Sequence, residues 1–516
     1  MKRNTLTILL AAAGMLLAGV QTAKAQKVVL HMAGNQTFEC SISQLDSITF
    51  VDATDICSQM EKDTECALFY EALNEVGLGE VLGQSHKDES WDYSPYLSCE
   101  RVYDLPSFSQ YCHLPKTRET GFTIMACTNE ALNSKYNIHD LQGFYDFALS
   151  VYGGSEDDAL RKLLSYCIID RKTTLERLTT LCSIDTLVSQ PTEWYSTLLP
   201  NSTLKVTRSM NETFLNMSGD LAGVRISKPQ SKNICGNGNY YLTDGLPLYN
   251  EECKSAFASE RMRMDFYTLI PELENVAMRS SETGAAQASA TETNAISKSY
   301  YIPSDYLQSI SVNNAETDII YENVHNESPL YEGDGIWLCG QYDVTFKLPV
   351  VPKRGTYEVR IGYTAMLNSG ICQIYFGSDP QRLPAAGIPM NFYNDAIDNH
   401  LPWIPLTDDP YTDEQRSESR RSMRNCGFMH GPASMHGLAS FFSAELEDEI
   451  IYIDKLFCDN PSTLRSIIVR QTLDENTQYY LRFKSVIDSD KPICLDYIEL
   501  VNKDVYDNPE KPEDIY

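Results

Sequence analysis

Apolar residues recur every three or four positions in several segments of the first half of the chain. This period matches one face of an α-helix and predicts amphipathic helices over 66–76, 140–152 and 156–166. In the first of these segments the apolar positions are Cys66, Phe69, Tyr70, Leu73 and Val76. The short apolar runs that follow predict strands at 167–170, 202–206 and 240–244.

Strict alternation replaces the helical period beyond residue 300. In "GTYEVRIGY" (355–363) aromatic and aliphatic residues occupy one face, with Glu358 and Arg360 on the other. Residues 479–484 alternate in the same way, and proline-rich corners separate such runs. Short strands with long loops predict a two-sheet β-sandwich, so the fold class predicted for the whole chain is α+β with more than one domain.

The two ends of the first half have their own patterns. Residues 1–25 resemble a secretory signal, with basic Lys2 and Arg3, an apolar stretch and a small-x-small cleavage site before Gln26. Val20 stands where a lipid-bearing Cys would be, so the expected product is exported and non-lipidated. The next segment, 27–50, predicts a β-hairpin with a turn at Gly34-Asn35.

Residues 280–298 contain no aromatic and only one large aliphatic residue, Ile296. Such a segment buries too little to order itself, and it predicts a linker or long loop. The preceding segment, 255–279, has a composition that predicts helix.

Charge and cysteine content narrow the function classes. The net charge of −29 disfavours nucleic acid and anionic membrane as partners. The 15 cysteines form no CxxC, and most lie singly in apolar runs, which is typical of free, buried thiols. A disulfide between Cys235 and Cys253 stays open as the alternative at those two positions.

The stretch "GFTIMACTNEALN" (121–133) raises the question of an activated cysteine, because Cys127 lies where a strand enters a helix. No nucleophile motif links Cys127 to His113 or His139. Thr128 or Asn129 can instead cap the following helix through a side-chain oxygen. We therefore interpret the junction as structural.

Four segments together resemble the fasciclin domain. They are "FTIMACTNEALN" (122–133), "LRKLLSYCIIDRK" (160–172), "STLLPNSTLKV" (196–206) and "CGNGNYYLTDGLPL" (235–248). The resemblance implies a compact α/β adhesion domain without catalytic machinery. Two departures concern its Tyr-His features: Cys167 follows Tyr166 where the family has His, and Tyr241 replaces the His of the closing strand.

The last third resembles the galactose-binding-like jelly rolls that follow fasciclin repeats in secreted proteins of gut-type Gram-negative bacteria. The resemblance rests on "GQYDVTFKLPVVPKRGTYEVRIGY" (340–363), "NCGFMHGP" (425–432) and a last strand containing D-Y-I-E (496–499). Such domains frequently bind carbohydrate. The predicted organisation is a signal peptide (1–25), a hairpin leader (26–52), a fasciclin-like domain (53–252), a helix and low-complexity linker (253–299) and a jelly-roll-like β-sandwich (300–516).

Candidate binding residues are aromatic side chains in the loops of this sandwich, since flat rings stack on sugar faces. The first candidates are Trp403 and Tyr411, within the long loop region 386–440. Trp337 and Tyr331, near Asp334, are the second. The alternative for each is a half-buried loop anchor.

Two segments contain residue types that can bind metals, and one strand contains a charge among apolar residues. The acidic residues Asp408, Asp409, Asp413 and Glu414 match no calcium loop. The repeated Met-His-Gly of 429–437 is more typical of plain loop than of a metal site, so no metal or cofactor is predicted. Asp496 shares a strand face with apolar residues, which predicts burial and an ion pair with Arg360 or Arg482.

No phosphate-binding loop, dinucleotide fingerprint, zinc motif or nucleophile elbow is present, and no pair of carboxylates stands out as catalytic. The favoured function is a non-catalytic adhesion or binding protein of the bacterial envelope, in the periplasm, on the surface or outside the cell. The alternative is glycan capture through the sandwich loops, alongside outer-membrane glycan-import proteins. The expected partner is an extracellular protein or polysaccharide.

Overall fold

The computed structural model describes most of the chain in segments. They are 27–31, 37–41, 55–84, 87–88, 91, 111–112, 118–178, 192–209, 212–228, 234–279, 298–323, 330–331, 334–366, 368–406, 410–432, 436–443, 449–456, 460–486, 491–511 and 513. The predicted signal peptide and residues 280–297 of the predicted linker lie outside these segments. The chain divides into two compact units, Met1–Asp52 and Ala53–Tyr516.

The first unit contains an antiparallel hairpin of β1 (Lys27–His31) and β2 (Thr37–Ser41). Val29 pairs with Glu39 at its centre. The strands predicted on either side of Gly34-Asn35 are therefore confirmed.

The second unit mixes helices and strands, which confirms the α+β prediction. Its helices are α1 (Ile56–Met60), α2 (Ala67–Glu75), α3 (Leu78–Leu82), α4 (Asn129–Tyr136), α5 (Leu141–Tyr152), α6 (Glu156–Tyr166), α7 (Leu175–Leu178), α8 (Glu251–Ala258), α9 (Pro271–Asn275), α10 (Asp413–Asn425) and α11 (Lys503–Tyr506), with a 3₁₀ turn at Tyr267–Leu269.

The strands of the second unit continue the numbering of the hairpin. They are β3 (Lys87–Asp88), β4 (Tyr111–Cys112), β5 (Arg118–Glu119), β6 (Phe122–Cys127), β7 (Ile168–Ile169), β8 (Thr192–Ser196), β9 (Thr203–Ser209), β10 (Glu212–Leu215), β11 (Val224–Lys228), β12 (Ile234–Cys235), β13 (Gly238–Thr243), β14 (Arg261–Asp265), β15 (Lys298–Ile302), β16 (Ser311–Val312), β17 (Thr317–Asn323), β18 (Asp334–Gly340), β19 (Asp343–Lys347), β20 (Gly355–Thr364), β21 (Ile371–Gly377), β22 (Met390–Asn391), β23 (Phe428–His430), β24 (His436–Ser443), β25 (Glu449–Leu456), β26 (Thr463–Leu473), β27 (Tyr480–Ser485), β28 (Ile493–Leu495) and β29 (Tyr497–Asn502).

The first part of this unit is built on one sheet, sheet 1, with strand order β7-β6-β13-β11-β10-β9-β8 and β12 paired to β13. Strands β6 and β13 are parallel, and Met125 pairs with Tyr241. Helices α2, α5 and α6 match the three predicted helices and bury their apolar faces in one core with residues of β6 and β13.

Three five-stranded sheets and two two-stranded ones, β24-β25 and β3-β5, form the other sheets described in the unit. Sheet 2 has the order β14-β29-β20-β26-β23, sheet 3 β28-β18-β17-β15-β4, and sheet 4 β16-β19-β27-β21-β22. The chain passes from sheet 3 to sheet 2 at Asp496, which separates β28 from β29. Phe266, Phe346 and Phe483 pack edge to face in the shared core, with ring centroids 5.2–6.0 Å apart.

The helix predicted over 255–279 is found only in part, as the end of α8, the 3₁₀ turn and α9, and it is wrong over 261–265. Strand β14 forms instead, because the segment alternates Arg261-Met262-Arg263-Met264 and pairs with β29. Met262 and Met264 enter the core while the arginines face the other side of sheet 2. The segment placed in a linker thus supplies an edge strand of the sheet.

Among the segments that the model describes, no helix combines the length and hydrophobicity that crossing a bilayer requires.

Candidate functional site

The Cys127 junction has the geometry of a helix cap. The Thr128 hydroxyl accepts a hydrogen bond from the Ala131 backbone N–H at 3.2 Å and caps α4. Cys127 is buried, and loss of solvation raises the pKa of its thiol to about 12, so the nucleophilic thiolate is disfavoured. The structural interpretation of 121–133 is confirmed. Cys235 and Cys253 are both free thiols.

Of the four candidate aromatic residues, Trp337 lies deepest. It is 1% exposed on β18, and its indole N–H donates to Glu322 Oε2 at 2.6 Å. A sugar cannot stack on a ring without a solvent-facing side, so in this structure Trp337 acts as a core residue.

Tyr331 is a half-buried residue held by its neighbours. Its backbone N–H donates to Asp496 Oδ1 at 2.7 Å, and its ring lies 5.4 Å from that of Tyr497. The Arg263 guanidinium lies over both rings. Tyr331 therefore has the contacts of a loop anchor beside sheet 2.

Trp403 and Tyr411 are half-buried residues ahead of α10, and no described contact joins their side chains. The Trp403 ring lies 5.8 Å from that of His430 on β23. Its indole N–H is enclosed and has no hydrogen-bond partner. An enclosed N–H without an acceptor is unfavourable, so this indole N–H is an unusual feature of the loop.

Residues 386–406, which we call the Trp403 loop, contain Trp403 and several exposed apolar side chains. Among the described residues the large hydrophobics most open to solvent include Ile388 (87% exposed), Ile397 (53%) and Tyr393 (41%). Clustered exposed apolar residues are typical of binding surfaces, whereas single ones are ordinary. The loop is thus a candidate contact surface.

The region 386–440, predicted to be loop, also contains helix α10. Its polar sequence DEQRSESRRSMRN hid it from an apolar-period search. A capping box begins it, in which Thr412 Oγ1 accepts from the Gln415 N–H and the Gln415 side chain accepts from the Thr412 N–H. The Thr-x-x-Gln spacing was the available sequence signal.

One face of sheet 2 carries a network of charges that we call the arginine cluster. Its members are Arg261 and Arg263 on β14, Glu358 and Arg360 on β20, Arg465 and Arg470 on β26, Glu499 on β29, Arg424 on α10, and Glu513. Glu358 and Arg360 share this face as predicted. The missed signal was charge at alternate positions of two strands that pair with β29, Arg261-x-Arg263 and Glu358-x-Arg360.

Arg360 is the centre of the cluster and is fully buried. Its guanidinium donates to Glu358 Oε2 at 2.6 and 2.9 Å and to Glu499 Oε2 at 3.2 Å. Glu499 also accepts from Arg263 at 2.9 Å. Burial alone would raise the pKa of Glu499, but Arg465, Arg263 and Arg360 outweigh it and hold that pKa far below its usual range.

The cluster reaches solvent on the side of α10. Glu358 Oε1 accepts from Arg424 at 2.7 Å and from Arg470 at 3.0 Å. The Tyr506 ring lies 5.3 Å from both guanidinium carbons. The side chains of Arg470 and Arg424 are 52% and 23% exposed, so this edge of the network is open.

Trp403 lies at the same end of sheet 2 but belongs to its other face. Met429 pairs with Arg465 and contacts Arg424, which places it on the arginine face. His430, the next residue, points the opposite way because side chains alternate along a strand. The Trp403 loop and the arginine cluster are therefore two surfaces that meet at strand β23.

A second ion cluster is sealed in the interior of the same unit. Arg279 donates to Asp334 at 2.6 and 2.8 Å and to Asp265, and Glu193 approaches it at 3.8 Å. We call these four residues the Arg279 cluster. Each of their side chains is at most 5% exposed. Glu193 lies on β8 of sheet 1, Asp265 on β14 of sheet 2 and Asp334 on β18 of sheet 3, so the cluster joins three sheets.

Asp496 is buried as predicted, but neither predicted partner binds it. Arg360 forms ion pairs with Glu358, Glu499 and Glu513. Arg482 donates two hydrogen bonds to Asp343, at 2.5 and 2.6 Å. Asp496 instead accepts the Tyr331 N–H. The reason is positional, since Asp496 occupies the break between β28 and β29 rather than a paired position.

A groove of about 690 Å³ opens between α2, α4 and α5 in the first part of the unit. Two of its polar residues serve the fold: Asp140 caps α5, and Asn129 bonds Thr64 and Leu68. Across the described segments no group of three His, Cys, Asp or Glu residues has the arrangement of a metal site. Asp408 and Asp409, weighed for calcium, lie outside those segments.

No protein-family model and no curated protein matches the sequence. Among solved structures, a Paenibacillus xanthan lyase aligns at 14% identity over 37% of this chain and 12% of its own, with a TM-score of 0.16. The K1 cleaved adhesin domain of Lys-gingipain from Porphyromonas gingivalis aligns at 10% identity over 40% of this chain and 98% of its own, with a TM-score of 0.17.

An exo-β-1,3-galactanase from Phanerochaete chrysosporium, solved with galactose, aligns at 11% identity over 58% of this chain and 54% of its own. Its TM-score is 0.15. Alignments at these scores carry no argument about function, which therefore rests on the residues of this chain.

Proposed function

We propose that this is an exported, non-catalytic binding protein of the bacterial envelope that captures a glycan through the Trp403 loop. The observation that carries the proposal is that one stretch of chain, the Trp403 loop, contains a half-buried Trp403 with an unpartnered indole N–H and three exposed large apolar side chains. An aromatic ring with a polar edge suits a sugar, which presents C–H groups on its face and hydroxyls around it. Export rests on the pattern of residues 1–25.

In this proposal the other parts of the chain support the Trp403 loop and present it to the ligand. We infer a fasciclin-like domain in 53–252, followed by a jelly-roll-like sandwich. Tyr166, the first member of the family's Tyr-His pair, supports the first inference. It is buried, donates to the Thr203 carbonyl at 2.9 Å, and stacks on Tyr249 at 5.2 Å.

The test is affinity electrophoresis of the full chain against plant, host and microbial polysaccharides, comparing wild type with Trp403→Ala. Loss of a central aromatic anchor should weaken retardation by the bound glycan at least about tenfold. Tyr480→Ala, which removes a half-buried ring from sheet 4, is the matched control and should bind as wild type does. Melting temperatures of both variants separate lost binding from lost folding.

Retardation of folded Trp403→Ala equal to that of wild type would refute glycan capture by this loop. Protein-directed adhesion is the second candidate, because Ile388 and Ile397 are aliphatic and such side chains are common in protein interfaces. In that case Ile388→Asp should reduce attachment to protein-coated surfaces, and no polysaccharide of the panel should retard the wild type.

A further inference from the structure

Glu513 stands apart from the other carboxylates of the arginine cluster. Glu358 and Glu499 lie on central strands of sheet 2 and are fully buried, whereas Glu513 follows α11, outside the sheet, and is 19% exposed. It enters the cluster from the open side. Its carboxylate therefore occupies a site that is lined by side chains of the strands, although Glu513 itself belongs to no strand of the sheet.

The guanidiniums around Glu513 fit a planar carboxylate. Arg360 reaches both of its oxygens, at 2.8 and 3.1 Å, in the two-pronged arrangement that is strongest for this pair of groups. Arg261 contributes at 3.2 Å and Arg424 at 3.4 Å. Arg465 adds a fourth guanidinium at 3.5 Å.

The electrostatics favour an anion at this position. Burial alone would raise the pKa of Glu513, but the positive charges of Arg360 and Arg465 outweigh it and lower that pKa to about 2. The open edge beside it, formed by Arg424 and Arg470, gives an external group a route to the same guanidiniums.

We infer that these guanidiniums form a binding site for the carboxylate of a uronic acid residue, and that Glu513 occupies this site as an internal stand-in. This inference rests on the proposed glycan binding, which makes the ligand a sugar. The ligand's carboxylate replaces that of Glu513 on Arg360, and the Glu513 side chain moves away. No covalent step is involved.

Removing Glu513 should expose the site. A tethered carboxylate competes at an effective concentration on the order of millimolar, so Glu513→Ala should bind free galacturonate at least about tenfold more tightly than wild type. Glu510→Ala is the matched control, because it removes the same charge three residues away from an exposed side chain without a described ion pair. It should bind as wild type does.

The experiment measures the melting temperature of the full chain with galacturonate, galactose, acetate or chloride at constant ionic strength. Glu513→Ala should melt about 2–3 °C lower than wild type, and galacturonate alone should restore most of the loss. An unchanged melting temperature without ligand would overturn the inference, as would equal restoration by chloride. Equal restoration by acetate would overturn the assignment to a sugar acid.

A second variant keeps the test decisive if Glu513→Ala does not fold. Arg424→Met should lose retardation by polygalacturonate, whereas Arg421→Met, from the exposed face of the same helix, should keep it. Equal retardation of the two would overturn the inference. Sensitivity to Trp403→Ala without any effect at Glu513 or Arg424 would leave the proposed function intact and remove only the uronate site.

Discussion

The two ion clusters of the second unit are built from the same groups in opposite proportions. The Arg279 cluster places one guanidinium among three carboxylates, and the described part of the arginine cluster has six guanidiniums for three carboxylates. The first is sealed, and the second opens to solvent at Arg470 and Arg424.

Asp265 of the sealed cluster and Glu499 of the open one differ in the direction of their pKa shifts. Burial and the neighbouring Asp334 raise the pKa of Asp265 well above its usual range, and Arg279 does not offset them. The pKa of Glu499 is lowered although Glu499 is equally buried, because three guanidiniums surround it. Since both groups are buried, the number of neighbouring guanidiniums accounts for the difference between these two carboxyl groups.

The largest effect is expected from Arg279→Met, which removes the one cation of the sealed cluster. Asp265, Asp334 and Glu193 would then lie together in the interior without the Arg279 guanidinium. Breaking a buried ion network in this way costs about 3–5 kcal/mol of the free energy of unfolding. The urea midpoint of the full chain measures the loss.

Arg421→Met is the control for Arg279→Met, because it removes an arginine whose pair with Glu418 is largely exposed. Its midpoint should stay close to that of wild type. A urea midpoint for Arg279→Met equal to that of the control would show that the sealed cluster contributes nothing to the stability of the fold.

The next effect concerns Glu513→Gln and its dependence on pH. The pKa of Glu513 falls from 4.5 to about 2 on folding, so its contribution is present above pH 4.5 and is lost as the pH falls towards 2. The free energy of unfolding of wild type should exceed that of the variant by about 2–3 kcal/mol at pH 7. This difference should disappear between pH 4.5 and 2. Urea titrations across this range measure it.

Glu510→Gln makes the same chemical change at an exposed position and should show no such gap. A gap for Glu513→Gln that stays constant from pH 7 to 2 would mean that the charge of Glu513 is irrelevant to stability. The description of the arginine cluster would then be wrong at this residue.

Much of the secondary structure around these clusters follows from sequence period. Helices α2, α5 and α6 and strands β20 and β27 match their predicted positions, because their apolar residues recur at one clear spacing. Strand β14 and helix α10 were missed. Their apolar residues are few, and pairing with β29 or a capping box decides their structure instead.

The two ion clusters could not be predicted from the sequence pattern, because the pairing register of distant strands brings their members together. The pattern placed Glu358 and Arg360 on one strand face, yet Glu499 lies 139 residues from Arg360 and reaches it only through the pairing of β20 with β29. For Asp496 the pattern predicted burial correctly and the partners wrongly. The local alternation of apolar and polar residues predicts whether a side chain is buried. Its ion-pair partner depends instead on strand register and on breaks between strands.

The smallest effect is expected from Asp265→Asn, which should separate the two clusters by the sign of its pH dependence. The pKa of Asp265 is raised on folding, so its favourable contribution is complete below about pH 3.8 and declines as the pH rises. The amide resembles the protonated acid in shape and charge, so the variant should lose about 1 kcal/mol or less at pH 7. The difference in free energy of unfolding between Asp265→Asn and wild type should become smaller between pH 4 and 7. Over the same range the corresponding difference for Glu513→Gln should persist. A gap that widens with rising pH would place an ionised, well-paired Asp265 in the sealed cluster and remove the contrast in carboxyl behaviour between the two regions.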